Sequence, residues 1–283
     1  MPSFLRSLRW RWPALALLAI AALGGCVSLD TQQRKWIFQA SVMQTDDDGA
    51  HIAGLQDVWI ELPASIGQAR LHGLWIAGPR ADSPVMLYLH GARRNVDSSV
   101  FRIRHMNELG FAVLAIDYRG FGRSTDELPS EASVDEDARA GWAWIAAKHP
   151  RSDRYIFGHS LGGAIAVRLA TEVNDAKGLI VEGTFTSIPD VFQTMKWGWL
   201  PITPLITQRF DSADRIERVK VPVLVVHGDA DSLIRPELGR ALYERATSPK
   251  RFILVPGGTH YSTNGMAQAQ YREAVRALFG VGA

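Results

Sequence analysis

The sequence predicts an α/β fold with a mostly parallel sheet and helices on both faces, and three observations predict it. Short apolar, β-branched runs alternate with longer helix-like stretches, the pattern of repeated βαβ units. Most of these runs are apolar throughout, as in strands covered on both sides. Ser, Asp and His residues stand just past the ends of several runs, where open α/β sheets place their sites. The 283 residues suit one large domain. A hydrophobic content of 47% and a charged content of 21% are ordinary for a globular chain. A net charge of +2 names no polyanionic partner, so nucleic acid is not expected.

Taken in order, the chain opens with a basic stretch, Arg6, Arg9 and Arg11, before the apolar run Pro13–Leu23. That run is short for a membrane span. Leu23-Gly24-Gly25-Cys26 follows, and Cys26 is the only cysteine, so no intramolecular disulfide is available. The arrangement resembles a bacterial lipoprotein signal, with residues 1–25 removed and Cys26 lipidated. It implies an envelope protein anchored in a membrane, and Val27 in place of Asp leans toward the outer one. An ordinary secretory signal and an uncleaved anchor helix are the alternatives. Residues 26–54 are polar, include Asp46-Asp47-Asp48, and read as an irregular tether.

The domain is expected over residues 55–283. Residues 57–62 and 69–77 read as two antiparallel strands. Residues 85–90, 111–117, 154–157, 179–182, 221–227 and 252–255 read as the remaining strands. Helices are expected over 99–109, 134–149, 163–170, 235–246 and 264–279. Pro150 stops the second of these. Residues 184–212 break the alternation and contain Met195, Trp197, Trp199, Leu200, Leu205, Ile206 and Phe210. They read as a short cap with one or two small helices. Trp197 and Trp199 are candidate substrate-binding residues, the alternative being that they pack the cap onto the domain.

Gly158-His159-Ser160-Leu161-Gly162 joins the third parallel-type run to a helix rich in small residues. A turn this tight exposes the Ser160 hydroxyl and sets the Leu161 N–H at a helix N-terminus, where an oxyanion is stabilised. A serine nucleophile needs an adjacent base, and that base needs an orienting carboxylate. Val221–His227 leads into Gly228-Asp229-Ala230-Asp231, and Phe252–Val255 leads toward Gly257-Gly258-Thr259-His260. His260 is the candidate base, and either Asp229 or Asp231 meets the need for a carboxylate.

With His90-Gly91 and Asp117-Tyr-Arg-Gly-Phe-Gly-Arg-Ser124 added, these ordered motifs resemble the α/β-hydrolase-fold serine hydrolases over roughly residues 57–280. The resemblance implies catalytic Ser160, Asp231 and His260, with Asp231 favoured over Asp229. It implies an oxyanion hole from the N–H groups of Leu161 and Ala92, with Ala92 ahead of Arg93. It implies an ester or thioester substrate of small-molecule size, cleaved through an acyl-enzyme. A peptidase on the same residues and a non-catalytic binding protein of the same fold are the rivals. Arg93 and Arg94 are either anion-recognising or simply exposed. No metal-ligand spacing and no nucleotide motif are present, so no metal and no cofactor are expected. Oligomeric state is not legible.

Overall fold

The computed structural model describes residues 25, 27–40, 53–63, 65 and 67–282. Eight strands form one sheet: β1 Leu55–Glu61, β2 Arg70–Ile76, β3 Val85–Leu89, β4 Ala112–Ile116, β5 Arg154–His159, β6 Ala176–Glu182, β7 Val223–Gly228 and β8 Lys250–Val255. Their order is β1-β2-β4-β3-β5-β6-β7-β8. β2 runs antiparallel to both its neighbours, and all pairs from β4 to β8 are parallel. The helices are α1 (27–38), α2 Val100–Glu108, α3 Glu131–Lys148, α4 Leu161–Glu172, α5 Ile188–Gln193, α6 Ser212–Ile216, α7 Pro236–Arg245, α8 Thr263–Met266 and α9 Gln268–Phe279.

Alternation along each buried strand feeds two cores. In β3, Val85, Leu87 and Leu89 join the layer of α3, α4 and α7. Met86 and Tyr88 join the layer of α2 and α9. Both layers are apolar, which is why the strands read as continuous apolar runs. α3 begins earlier than position 134. Ser130 and Ser133 cap it reciprocally, each side chain bonding the other's backbone N–H. The cap contains α5 and a 3-10 turn at Thr203–Leu205.

The N-terminal segment departs from the expected tether. Residues 27–38 are helical, and the end of the helix is built into the domain. Phe38 is fully buried between the rings of Phe121 and Phe210. Arg34 donates to the carbonyls of Leu128 and Pro129. Gln33 donates to Leu205 O at 2.7 Å, and Thr207 and Gln208 donate to Asp30. Cys26, residues 1–24 and the run Asp46-Asp47-Asp48 lie outside the described residues.

Candidate active site

Ser160 sits between β5 and α4 with φ 56° and ψ −123°. A residue with a Cβ rarely occupies positive φ, so the surroundings must hold it there. Ser160 N donates to Glu182 O at 2.9 Å, and Ser160 O accepts from Gly163 N and Thr184 Oγ1. A side chain at Gly162 would run into the carbonyl of Leu89, so the close approach of α4 to β3 requires glycine there. Leu161 opens α4, and its N–H belongs to the unpaired first turn of that helix.

Asp231 and His260 come from the turns after β7 and β8. His260 Nδ1 and Asp231 Oδ2 are 2.7 Å apart. Asp231 Oδ1 accepts from the N–H groups of Leu233 and Ile234, each at 2.9 Å. Burial alone would raise the pKa of Asp231. Hydrogen bonds from His227 and His260, the charge of His260 and the Ile234 N–H outweigh it, and hold the carboxyl well below the usual range. Asp229 instead accepts from Gly257 N at 2.7 Å. The structure therefore brings Asp231, and not Asp229, to the imidazole.

The loop after β3 lies across from Ser160. A Cβ on Gly91 would approach Ser160 Cβ to 2.9 Å. Arg93 has φ 71°, and its N–H donates to Phe38 O at 3.0 Å. That N–H is committed to α1, while Ala92 lines the cleft. Ser160, Leu161, His260, Ala92 and Gly91 share one cleft, with Trp36, Ile37, Phe185, Ile188, Val191 and Met195 as apolar wall. Trp197 and Trp199 do not line it. They are 58% and 73% exposed. Their expected place in the acyl pocket is taken by residues of α1 and α5.

A buried polar cluster behind His260 carries no sequence motif. His159 Nε2 lies 3.0 Å from His260 O, and Arg102 Nη2 lies 3.5 Å from the same oxygen. Glu182, at the end of β6, accepts from Arg102 Nε and Asn264 Nδ2, each at 2.9 Å, and from the Tyr271 hydroxyl. Burial, with the nearby charges of Arg102 and His260, pushes the His159 pKa well down, so His159 is neutral and its Nε2–H donates. The His260 loop is thus held from behind through its backbone.

Among the described residues, no group of three His, Cys, Asp or Glu side chains is placed to hold a metal. The ionisable side chains lining the cleft are Arg93, Arg94, Arg102, His159, His260 and Tyr261.

A family model described as Serine aminopeptidase, S33 matches residues 81–212 and 208–264. The chain belongs to this family. As an S33-family protein it is a hydrolase with the α/β-hydrolase fold. It is 31% identical over 251 residues to an uncharacterized protein of Mycobacterium tuberculosis, covering 88% of this chain and 87% of that one. It is 30% identical over 214 residues to the lysophosphatidylserine lipase ABHD12 of Danio rerio, covering 68% of this chain and 56% of that protein. Among solved structures, an esterase of Pyrococcus furiosus aligns with TM-score 0.65 at 20% identity, over 80% of this chain and 93% of its own. The esterase Est1E of Butyrivibrio proteoclasticus, with ferulic acid bound, aligns with TM-score 0.66 at 19% identity, over 79% and 99%. At such identities these two speak for the fold alone.

Proposed function

We propose that this S33-family protein is a serine hydrolase of carboxylic esters or thioesters, and that its substrate carries a single acyl chain. The observation that carries the reading is the convergence of Ser160, strained at a helix N-terminus, with a carboxylate-bound His260 in one apolar-walled cleft. Asp231 engages Nδ1, so Nε2 is the nitrogen that accepts the Ser160 proton as Oγ attacks the acyl carbonyl. The oxyanion is held by the N–H groups of Leu161 and Ala92. His260 then protonates the leaving alcohol or thiol, and water attacks the acyl-enzyme by the same route.

The cleft's charge favours this reading over aminopeptidase action. Recognition of a free peptide amine calls for carboxylates, and among the described lining residues the fixed charges are Arg93, Arg94 and Arg102. That lining suits a neutral or anionic head group, as does the relative named for a lysophosphatidylserine lipase. Anchoring belongs to the same reading: Cys26 carries the lipid and holds the protein in a bacterial envelope, facing the periplasm.

Ser160→Ala is expected to abolish both fluorophosphonate labelling and ester turnover while leaving the far-UV spectrum unchanged. Labelling that persists in the variant overturns the assignment. For the anchor, Cys26→Ser should release the protein from the membrane fraction, and mass spectrometry should find no intact Met1 in the native protein.

A further inference from the structure

We propose that the rim built by α1 and the cap is a docking surface for a lipid bilayer, and that acyl substrate enters the cleft from the membrane. This rests on the acyl-hydrolase reading and adds where its substrate comes from.

Large apolar side chains exposed on the described surface concentrate around one opening. Trp36, Met195 and Tyr261 line the cleft and reach solvent, while Trp197, Trp199 and Leu205 stand exposed on the cap. α1 and the cap form one surface, because Gln33 bonds Leu205 O and Thr207 bonds both Gln33 and Asp30. Exposed apolar patches of this kind mark interaction sites. Tryptophan and tyrosine, with an apolar body and a polar edge, are the side chains that favour a bilayer interface.

Charge favours the same occupant. Between positions 191 and 208 the single charged residue is Lys196, and its ammonium lies 5.6 Å from the Trp197 ring centre. Arg94 lies over Tyr261 at 4.8 Å. Lys35, Arg93 and Arg94 are exposed, and the nearby carboxylate of Asp30 is engaged by Thr207 and Gln208. Cations beside exposed tryptophans fit an anionic lipid surface.

The sequence that precedes α1 points to a bilayer rather than to another protein. The apolar run Pro13–Leu23 and Cys26 come immediately before Val27, so on the anchored reading proposed above the start of α1 is held at the membrane. At 1.5 Å per residue, Trp36 lies only about 14 Å along the helix from Val27. The cleft's wall is therefore within one short helix of the anchoring point.

The test uses the full chain in vesicles of phosphatidylcholine and phosphatidylglycerol brominated on their acyl chains. Bromine quenches tryptophans that reach the acyl region. Wild-type fluorescence should be quenched, and most of that quenching should disappear in Trp197→Phe/Trp199→Phe but remain in Trp75→Phe/Trp144→Phe. Quenching left undiminished by removal of the two cap tryptophans overturns the proposal. In a second arm, Trp197→Asp/Trp199→Asp should lower turnover of a monoacyl ester held in vesicles about tenfold or more, leaving p-nitrophenyl acetate turnover unchanged. Equal loss on both substrates overturns it, and so does a dimer in detergent that this variant splits, which would assign the rim to a second copy. Absence of Ser160-dependent acetate turnover in the wild type would instead count against the hydrolase reading, whatever the quenching.

Discussion

Ser160 keeps a backbone conformation that only its neighbours make tolerable, so small intrusions beside it should be costly. Gly91→Ala places a methyl group 2.9 Å from Ser160 Cβ, closer than carbon atoms pack. Turnover of a short ester should fall by about 10²-fold with little change in thermal midpoint, as stopped-flow acylation and a melting curve would show. Asp231→Asn should lower turnover about 10⁴-fold through loss of the carboxylate that orients the imidazole, whereas Asp229→Asn should disturb only the turn at Gly257. The same carboxylate has a pH signature. Its folded pKa lies below the unfolded value of about 3.9, so it stabilises the fold above that pH, and this contribution is lost as pH falls through the folded value. The melting temperature of Asp231→Asn should therefore depend less steeply on pH below about pH 4 than that of the wild type. Ser160, Asp231 and His260 were legible because each ends a strand-like run, and strand ends converge in an α/β sheet. The Glu182 cluster was not legible. Its members Arg102, Glu182 and Asn264 are about eighty residues apart in turn, and only the odd carboxylate closing the run Leu179-Ile-Val-Glu182 hinted at it.

At the scale of elements, α1 carries more than its sequence announced. Asp30, Gln32, Gln33, Arg34 and Lys35 make it polar, and only Ile37 and Phe38, at its end, are fully apolar and buried. A helix that buries its tip rather than a stripe leaves no 3.6-residue periodicity to read. The cap was legible as an interruption in the alternation, yet the orientation of its tryptophans was not, since composition does not say which side of a short irregular segment faces inward. Phe38→Ala should cost about 3–5 kcal/mol of docking energy. Its global unfolding transition should remain while α1 becomes open to limited proteolysis, and ester turnover should drop because Phe38 O no longer holds the Arg93 N–H. Proteolysis of α1 without loss of turnover would separate the helix from the catalytic loop.

At the scale of the whole molecule, the strand ends position Ser160, Asp231 and His260, and segments outside the sheet line the cleft around them. The antiparallel start and the parallel remainder of the sheet followed from the alternation and the apolar runs, whereas the exchange of β3 and β4 in the strand order did not. The cleft wall did not, because it gathers positions 36–37, 185–195 and 233–234, which no local pattern links. Filling that wall should shorten the acyl chain accepted. Val191→Trp should spare acetate esters and depress kcat/KM progressively with chain length, since each methylene denied burial forfeits about 0.8 kcal/mol. A profile of p-nitrophenyl esters of graded length checks this, and a uniform loss would indicate damage to the fold instead.

The seat of α1 also bears on when the protein becomes active in its life. Translation makes this segment before every one of its partners, which are Arg93, Leu128, Pro129, Leu205, Thr207 and Gln208. α1 must wait for much later residues before it finds its place. A nascent chain, or one threaded unfolded across a membrane, has neither the cleft wall nor the brace on the loop at Arg93. The cleft is thereby completed only once the later parts of the domain are in place, with no separate inhibitor to remove.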